Sequence, residues 1–172
     1  RVPITTLQVE GQSRTPWGAV VKLVVVLAGS PATVLPQAAP RATGLFIVDP
    51  KGNLTQAAAA EQTYRRLFPD ATVLSGRQAS RTQLLLELRS GPRWMHFDGH
   101  GRFDPAFPEL SSLELADGEV IGDELAEVAG RCELINLSGC KTGRSPVSAD
   151  SGRFGLAGPL IHAGVQWVVV SR

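Results

Sequence analysis

The chain has 172 residues, 43% of them hydrophobic and 19% charged, with a formal net charge of +1. A chain of this length can bury the core of one domain, and the composition is that of an ordinary soluble globular protein. The charge balance excludes a basic field that would attract nucleic acid. The strongest apolar stretch, residues 19–27, is interrupted by Lys22 and is too short to span a bilayer. We therefore expect neither nucleic acid nor a membrane as a partner.

Apolar runs of strand length alternate with helical patterns in the first half of the chain. A proline-rich stretch interrupts the alternation and predicts a loop or linker. In chain order the predicted elements are a strand over 19–28, the linker over 30–43, a strand over 44–48, a helix over 56–68 with Thr55 as its N-cap, a strand over 71–74, and a helix over 81–89 with Ser80 as its N-cap.

The second half continues this alternation and adds a hairpin. In chain order its predicted elements are a strand over 93–97, a turn over 99–101, a loop over 103–111, a hairpin over 113–121 around Asp117 and Gly118, a helix over 124–128, a strand over 133–137, a polar loop over 141–151, a helix over 154–163 that Gly164 ends, and a strand over 166–170. Strands alternating with helices predict an α/β fold, with a mostly parallel central sheet and helices on both faces.

The chain divides into an N-terminal strand and linker, residues 1–43, and a domain over residues 44–172. It begins at Arg1 without a methionine and ends directly after the β-prone run 167–170. We therefore expect a piece of a longer polypeptide, with the domain truncated at its C-terminal end.

His100 and Cys140 are the candidate catalytic residues. Each follows a predicted strand and precedes a polar, glycine-rich turn, and parallel α/β sheets bind ligands beyond the carboxyl ends of their strands. A thiol needs a nearby base to become a thiolate, and the oxyanion formed in acyl transfer needs backbone N–H donors. We expect His100 to be the base, and the N–H groups of Gly101 and Cys140 to form the oxyanion hole.

The remaining cysteine and histidines have plainer explanations. A lone cysteine after a strand is more often inert and buried, but Cys140 enters a polar turn, whereas Cys132 begins its strand at the opposite edge and fits the inert role. We expect His96 to be a hydrogen-bonded strand histidine and His162 to be structural. The two thiols lie roughly 25 Å apart along an extended strand and should not pair, which indicates a reducing, cytoplasm-like setting.

Three competing motifs are excluded or weak. Residues 139–142 (Gly-Cys-Lys-Thr) look like the end of a phosphate loop, but that motif needs glycine directly before the lysine, where Cys140 stands. The chain has no Gly-x-Ser-x-Gly elbow of a serine hydrolase. A zinc site from His96, His100 and Cys140 stays open as a minor alternative, which strand alternation and the lack of paired ligands disfavour.

An ordered set of motifs between Gly44 and Arg172 carries a family resemblance. The set comprises Phe-Ile-Val-Asp-Pro over 46–50 with Asn53 and Leu54, His-Phe-Asp-Gly-His-Gly over 96–101, Ser-Leu-Glu-Leu-Ala-Asp-Gly over 112–118, Leu-Ser-Gly-Cys-Lys-Thr-Gly over 137–143, Phe-Gly-Leu-Ala over 154–157, and Ala-Gly-Val-Gln-Trp-Val-Val-Val over 163–170. Through these motifs about three quarters of the chain resembles the CHAT family, caspase-like domains that are commonly attached to tetratricopeptide repeats.

The resemblance implies a caspase/hemoglobinase-type fold, a three-layer sandwich around a mostly parallel sheet, and a His–Cys dyad. His100 would be the general base and acid and Cys140 the nucleophile, with no metal or organic cofactor. In the wider group the residue two before the cysteine often lines the pocket for the side chain preceding the cleaved bond, and Ser138 holds that place. Asp98 and Asp49 are further candidate substrate-binding residues, because their charge would favour a basic substrate side chain. The alternative is that these carboxylates bind loop N–H groups.

These observations predict a cytoplasmic cysteine endopeptidase that cleaves a protein substrate and is regulated by attached partner or sensor regions such as tetratricopeptide repeats. The alternative is a non-catalytic caspase-fold module for signalling or assembly, and a more distant one is acyl transfer to an acceptor other than water. The presence of both His100 and Cys140 favours the enzyme, because a scaffold has no physical need for either.

Overall fold

The computed structural model describes residues 24–27, 41–104, 106–107, 110–140 and 155–170. Within this part of the chain the strands are β1 Val24–Leu27, β2 Arg41–Val48, β3 Thr72–Ser75, β4 Pro92–Arg102, β5 Ser112–Leu115, β6 Gly118–Ile121, β7 Leu134–Cys140 and β8 Trp167–Val170. The helices are α1 Ala57–Leu67, α2 Arg81–Arg89, α3 Gly122–Ala129 and α4 Ala157–His162, and a 3₁₀ turn covers Gly76–Gln78.

The central sheet has the strand order β1-β8-β7-β4-β2-β3. The strands from β8 to β3 are parallel, and β1 pairs antiparallel with β8 at one edge. β5 and β6 form an antiparallel hairpin that attaches to the last residues of β4, where Gly101 pairs with Leu113 and Arg102 with Ser112. β4 and β7 therefore lie in the middle of the sheet, and each has a hydrogen-bonded neighbour on both sides.

Helices cover both faces of the sheet because strands such as β2 carry apolar side chains on both faces. One face packs against α2, α3 and α4 and forms the main core, whose strand residues include Leu45, Ile47, Met95, Phe97, Ile135 and Leu137. The other face packs against α1, where Ala57 and Tyr64 contact a smaller cluster of Phe46, Val48 and Val73. The result is a helix–sheet–helix sandwich.

Local sequence features determine where the helices begin and end. The Oγ of Ser80 accepts a hydrogen bond from the N–H of Gln83 at 3.2 Å, which confirms the predicted N-cap of α2. Gly164 has a φ of 101°, a left-handed conformation that ends the turn after α4 as predicted. The prediction of Thr55 as the N-cap of α1 was wrong, because the helix starts one residue later and its cap position belongs to Gln56, whose side chain makes no capping bond.

Several strands run further than the sequence pattern predicted. The predicted turn over 99–101 was wrong, because these residues continue β4, where Gly99 and His100 pair with β7 and Gly101 pairs with β5. β7 extends to Cys140, and β2 begins at Arg41, inside the predicted linker over 30–43. The ends of the first predicted strand, the rest of that linker and the polar loop over 141–151 lie outside the described residues.

The other predicted elements are present, with ends that differ by at most three residues. The α/β class, the mostly parallel sheet and the placement of helices on both faces are therefore confirmed. Among the described helices, none combines the length and the apolar character that a membrane span requires.

Candidate active site

His100 and Cys140 are register partners on the two central strands. β4 and β7 are parallel, and their pairing runs from Trp94 opposite Leu134 to His100 opposite Cys140. The structure describes Cys140 by its backbone, which forms the last residue of β7. Because neighbouring strands lie about 4.8 Å apart, the pairing puts these two backbone positions within side-chain reach at the carboxyl ends of the strands.

A row of polar residues leads from this pair into the sheet. Successive residues of a strand point to opposite faces, so every second residue of β4 shares the face of His100. This face is the one that α1 covers. We call its three register pairs the polar ladder: His96 with Asn136, Asp98 with Ser138, and His100 with Cys140.

His96 is bound through both ring nitrogens at the inner end of the polar ladder. Asn136 Nδ2 donates to Nδ1 at 2.9 Å, and the hydroxyl oxygen of Tyr64 lies 3.1 Å from Nε2. Because the amide donates to Nδ1, the neutral ring carries its proton on Nε2 and donates it to Tyr64. Burial lowers the pKa of His96, and the charge of Asp98 opposes this shift. The prediction of a hydrogen-bonded strand histidine is confirmed.

Asp98 lies between the two histidines of β4 and is half-buried. Burial raises the pKa of its carboxyl group; the charge of His96 opposes the shift and the charge of Asp49 adds to it. Its register partner Ser138 is exposed. This middle step of the polar ladder thus consists of one acidic and one hydroxyl residue, directly inward of His100 and Cys140.

The loop after β2 folds around the carboxylate of Asp49. We call residues 49–54 the Asp49 loop. Asp49 is 7% exposed, and its Oδ1 and Oδ2 accept hydrogen bonds from the N–H groups of Asn53 and Leu54, each at 3.0 Å. The N–H of Asp49 donates to the carbonyl of Asp98 at 2.7 Å, which ties the loop to β4. For Asp49 the structure therefore shows the loop-binding arrangement given above as the alternative to a substrate contact.

The Asp49 loop also contacts His100. The Oδ1 of Asn53 lies 2.7 Å from the Nε2 of His100. An amide oxygen only accepts hydrogen bonds, so Nε2 carries a proton and the lone pair of the neutral ring lies on Nδ1. Nδ1 is therefore the nitrogen that can take a proton from a neighbouring thiol.

The β5–β6 hairpin fixes the residues that follow His100. The hydroxyl of Ser112, which is buried, donates to Glu119 Oε2 at 2.7 Å, and the Nε and Nη2 of Arg102 donate to the same oxygen at 3.3 and 3.2 Å. The Ser112 bond is the main cause that lowers the pKa of Glu119, and the charge of Arg102 contributes. Gly101, predicted to supply an oxyanion N–H, lies in this paired strand.

The family model described as the CHAT domain matches residues 12–172, nearly the whole chain. The chain belongs to the CHAT-domain family. The match includes His100 and Cys140, and it begins within the segment 1–43 that we expected to precede the domain. CHAT domains are caspase-like and related to peptidases, which agrees with the fold. No curated protein matches the chain.

The other cysteine of this CHAT domain is chemically inert. Cys132 is 2% exposed, and burial raises the pKa of its thiol to about 12, so at neutral pH it stays protonated and cannot serve as a nucleophile. The Nδ1 of His162 lies 2.9 Å from the carbonyl oxygen of Gly158 in its own helix, the structural role predicted for it. Among the residues that the structure describes, no three His, Cys, Asp or Glu side chains are placed to hold a metal ion.

Three polar residues of this CHAT-domain site were not recognised as site residues from the sequence: Asn53, Tyr64 and Asn136. Asn53 belongs to the first of the family motifs. Asp49 stands four residues before it with Gly52 between them, a pattern typical of a loop closed by a carboxylate. Its contact with His100 spans 47 positions, and the contacts of Tyr64 and Asn136 with His96 span 32 and 40. No local pattern reports contacts over such distances.

Proposed function

We propose that this CHAT domain is a cysteine endopeptidase that cleaves a protein substrate through His100 and Cys140. The observation that carries the proposal is the register pairing of the two residues at the carboxyl ends of the two central strands. The hydrogen bond from His100 Nε2 to Asn53 supports it, because it leaves Nδ1 to act as the base. Membership of a peptidase-related family supports it independently.

The proposed reaction is acyl transfer in two steps. The thiol of Cys140 gives its proton to His100 Nδ1, and the thiolate attacks the carbonyl carbon of the scissile peptide bond. The N–H groups of Gly101 and Cys140 hold the oxyanion that forms. When the C–N bond breaks, the imidazolium gives its proton to the departing amine. Water then loses a proton to His100 and attacks the thioester, the C–S bond breaks, and the acid product leaves as Cys140 recovers its proton.

The middle step of the polar ladder is the proposed binding site for the substrate side chain that precedes the cleaved bond. Ser138 is exposed there, and Asp98 brings a carboxylate to the same step. A basic substrate side chain would stabilise that carboxylate in its charged form, against the burial that raises its pKa. In this proposal Asp49 shapes the site through its loop and through its charge rather than by direct contact.

Asp98→Asn tests the preference for a basic substrate residue. Cleavage of a positional library of fluorogenic tetrapeptides would be compared between this variant and the wild type. We expect the wild type to prefer Lys or Arg before the cleaved bond, and the variant to lose that preference by about tenfold or more, the effect of about 1.4 kcal/mol. An unchanged preference would end the assignment of Asp98.

Control by attached protein regions, such as tetratricopeptide repeats, and a cytoplasmic setting complete the proposal. An unregulated protease would damage its surroundings, and a thiol nucleophile works best where reductants keep it free. The regulating region would act on the loops around the strand ends, since His100 and Cys140 themselves lie in paired strands.

Cys140→Ala and His100→Ala test the enzymatic function. Each should lower the rate of cleavage of the tetrapeptide library by about 10²- to 10⁴-fold, while Cys132→Ala should leave that rate near the wild-type value. A peptidyl electrophile should label Cys140 in the wild type and fail to label it in His100→Ala. If both variants cleave like the wild type, His100 and Cys140 do not carry the reaction. If the wild type cleaves no peptide of the library and labelling of Cys140 does not depend on His100, the domain is instead a non-catalytic assembly module. Analysis of products in the presence of amines separates hydrolysis from transfer to another acceptor.

A further inference from the structure

The contact between Asn53 and His100 joins a solvent-exposed amide to the proposed base. Asn53 Oδ1 and His100 Nε2 lie 2.7 Å apart, a short hydrogen bond between groups on different elements. The amide oxygen accepts whether the ring is neutral or protonated, because Nε2 carries a proton in both states. The bond therefore persists while Nδ1 gains and loses a proton, and it limits rotation of the ring about its Cβ–Cγ bond.

The Asp49 loop holds Asn53 in place from behind. The carboxylate of Asp49 binds the backbone N–H groups of Asn53 and Leu54, and the Asp49 N–H is bound to the carbonyl of Asp98 on β4. Asp49 itself adopts a φ of 45°, which is uncommon for a residue other than glycine and is sustained here by hydrogen bonds to three residues of its loop and to Asp98 of β4. The amide of Asn53 is thus attached, through Asp49, to the same strand that carries His100.

We propose that Asn53 is a positioning residue for His100, and that Asp49 acts as the anchor that holds Asn53. The inference rests on the proposed function and adds a third member to the dyad. Asn53 fixes the Nε2–H tautomer, so that the lone pair of the neutral ring is on Nδ1 and can accept the proton of Cys140, and it stabilises the imidazolium by accepting a hydrogen bond from its charged N–H. Neither role requires Asn53 to touch the substrate.

Substitutions at Asn53 test this role against a merely structural one. Asn53→Ala removes the acceptor, and we expect kcat for the best-cleaved library peptide to fall about 10- to 100-fold, with KM within about twofold of the wild type. Asn53→Asp keeps an acceptor oxygen of the same reach and should restore kcat to within about tenfold of the wild type. Gln56→Ala is the matched control, since Gln56 is an exposed amide three residues away that makes no capping bond, and it should leave both constants unchanged.

Two measurements without a peptide substrate separate this inference from the proposed function. Iodoacetamide should alkylate Cys140 about tenfold more slowly in Asn53→Ala than in the wild type, with recovery in Asn53→Asp, as read by mass spectrometry of the Cys140 peptide. In a Cys140→Ala background, long-range nitrogen–proton NMR should show the proton of His100 on Nε2, and Asn53→Ala should broaden this signal or move it.

Three combinations of results decide between the positioning role of Asn53 and the proposed function. If Cys140→Ala leaves cleavage intact but Asn53 still controls alkylation and the His100 tautomer, the endopeptidase proposal fails and the positioning role stands. If Cys140→Ala abolishes cleavage while Asn53→Ala behaves like Gln56→Ala in kcat, alkylation and NMR, the positioning role is refuted. A loss of activity shared equally by Asn53→Ala and Asn53→Asp, with an unchanged His100 signal, also refutes it.

Discussion

A single methyl group added at Gly99 should destabilise the fold at the strand end that carries the proposed base. A Cβ built at Gly99 would lie 2.7 Å from Phe97 Cζ, 3.0 Å from Phe97 Cε1 and 3.0 Å from Pro50 Cδ. Ordinary contacts begin at 3.4 Å, so the Phe97 ring would have to move by about 0.7 Å, the difference between 3.4 and 2.7 Å. Phe97 is completely buried, and Pro50 belongs to the Asp49 loop, so neither can yield without disturbing its own surroundings.

Overpacking of this kind costs about 1–3 kcal/mol in a well-packed core. For a chain of this size that corresponds to a fall of about 2–12 °C in the melting temperature, at roughly 2–4 °C per kcal/mol. Urea unfolding followed by circular dichroism measures the free energy, and the slope with urea concentration should stay constant. Because the strain falls between β4 and the Asp49 loop, Gly99→Ala should also weaken the Asn53–His100 contact.

Gly118→Ala is the control for this prediction. A Cβ at Gly118 meets no atom within 4 Å, so the free energy of unfolding should change by less than about 0.5 kcal/mol. Equal unfolding midpoints for Gly99→Ala and Gly118→Ala would show that the packing argument is wrong. If Gly99→Ala is less stable but the NMR signal of His100 is unchanged, the substitution disturbs the core without disturbing the Asn53–His100 contact.

Three further predictions concern the buried groups. Tyr64→Phe should lower the free energy of unfolding in urea by about 1 kcal/mol, because the ring N–H of His96 loses its acceptor; no change would mean that this bond is replaced by water. Burial lowers the pKa of His96 below its ordinary 6.5, so stability is fully present above that pH and falls as the pH drops through the lowered value. Asp98→Asn should make stability fall more steeply with decreasing pH. The variant lacks the negative charge that favours protonated His96, and it lacks a carboxyl group whose raised pKa favours the folded state in acid. Urea unfolding midpoints at pH 8, 6.5 and 5 measure this, and midpoints that run parallel to those of the wild type would contradict it. Iodoacetamide should label Cys132 only after unfolding, because its thiol has a pKa of about 12, and labelling of the native protein at Cys132 would overturn that conclusion.

The layered fold could be predicted because its core strands are apolar in a recognisable way. Residues 44–48 are apolar on both faces, and the structure buries Leu45 and Ile47 under one layer and Phe46 and Val48 under the other. A strand of this kind needs helices above and below, and the helical patterns between the strands supply them. Ser80 as a cap and the hairpin around Asp117 and Gly118 depend only on neighbours in sequence, so local chemistry sufficed for both, although the turn itself is Ala116-Asp117 and Gly118 already pairs with Leu115.

The site was harder to predict because its decisive contacts are not local. The glycines around His100 are typical of a turn, but pairing with β7 and β5 extends β4 through them to Arg102. Gly99 is explained by the space that Phe97 and Pro50 leave rather than by a bend in the chain. His100 and Cys140 could be proposed from their positions after apolar runs, whereas the part of Asn53 depends on a loop that folds back onto a strand.

The placement of His100 and Cys140 on strands that are paired on both sides has an evolutionary consequence. Mutations in loops can reshape what approaches the strand ends without altering the spacing of the two backbone positions, because that spacing is set by the ladder of peptide hydrogen bonds between β4 and β7. Changing the spacing itself would require a slip of register, and a slip of one residue would turn every side chain of a central strand to the opposite layer. Selection can therefore diversify the loops around the strand ends while the distance between the two backbone positions stays fixed.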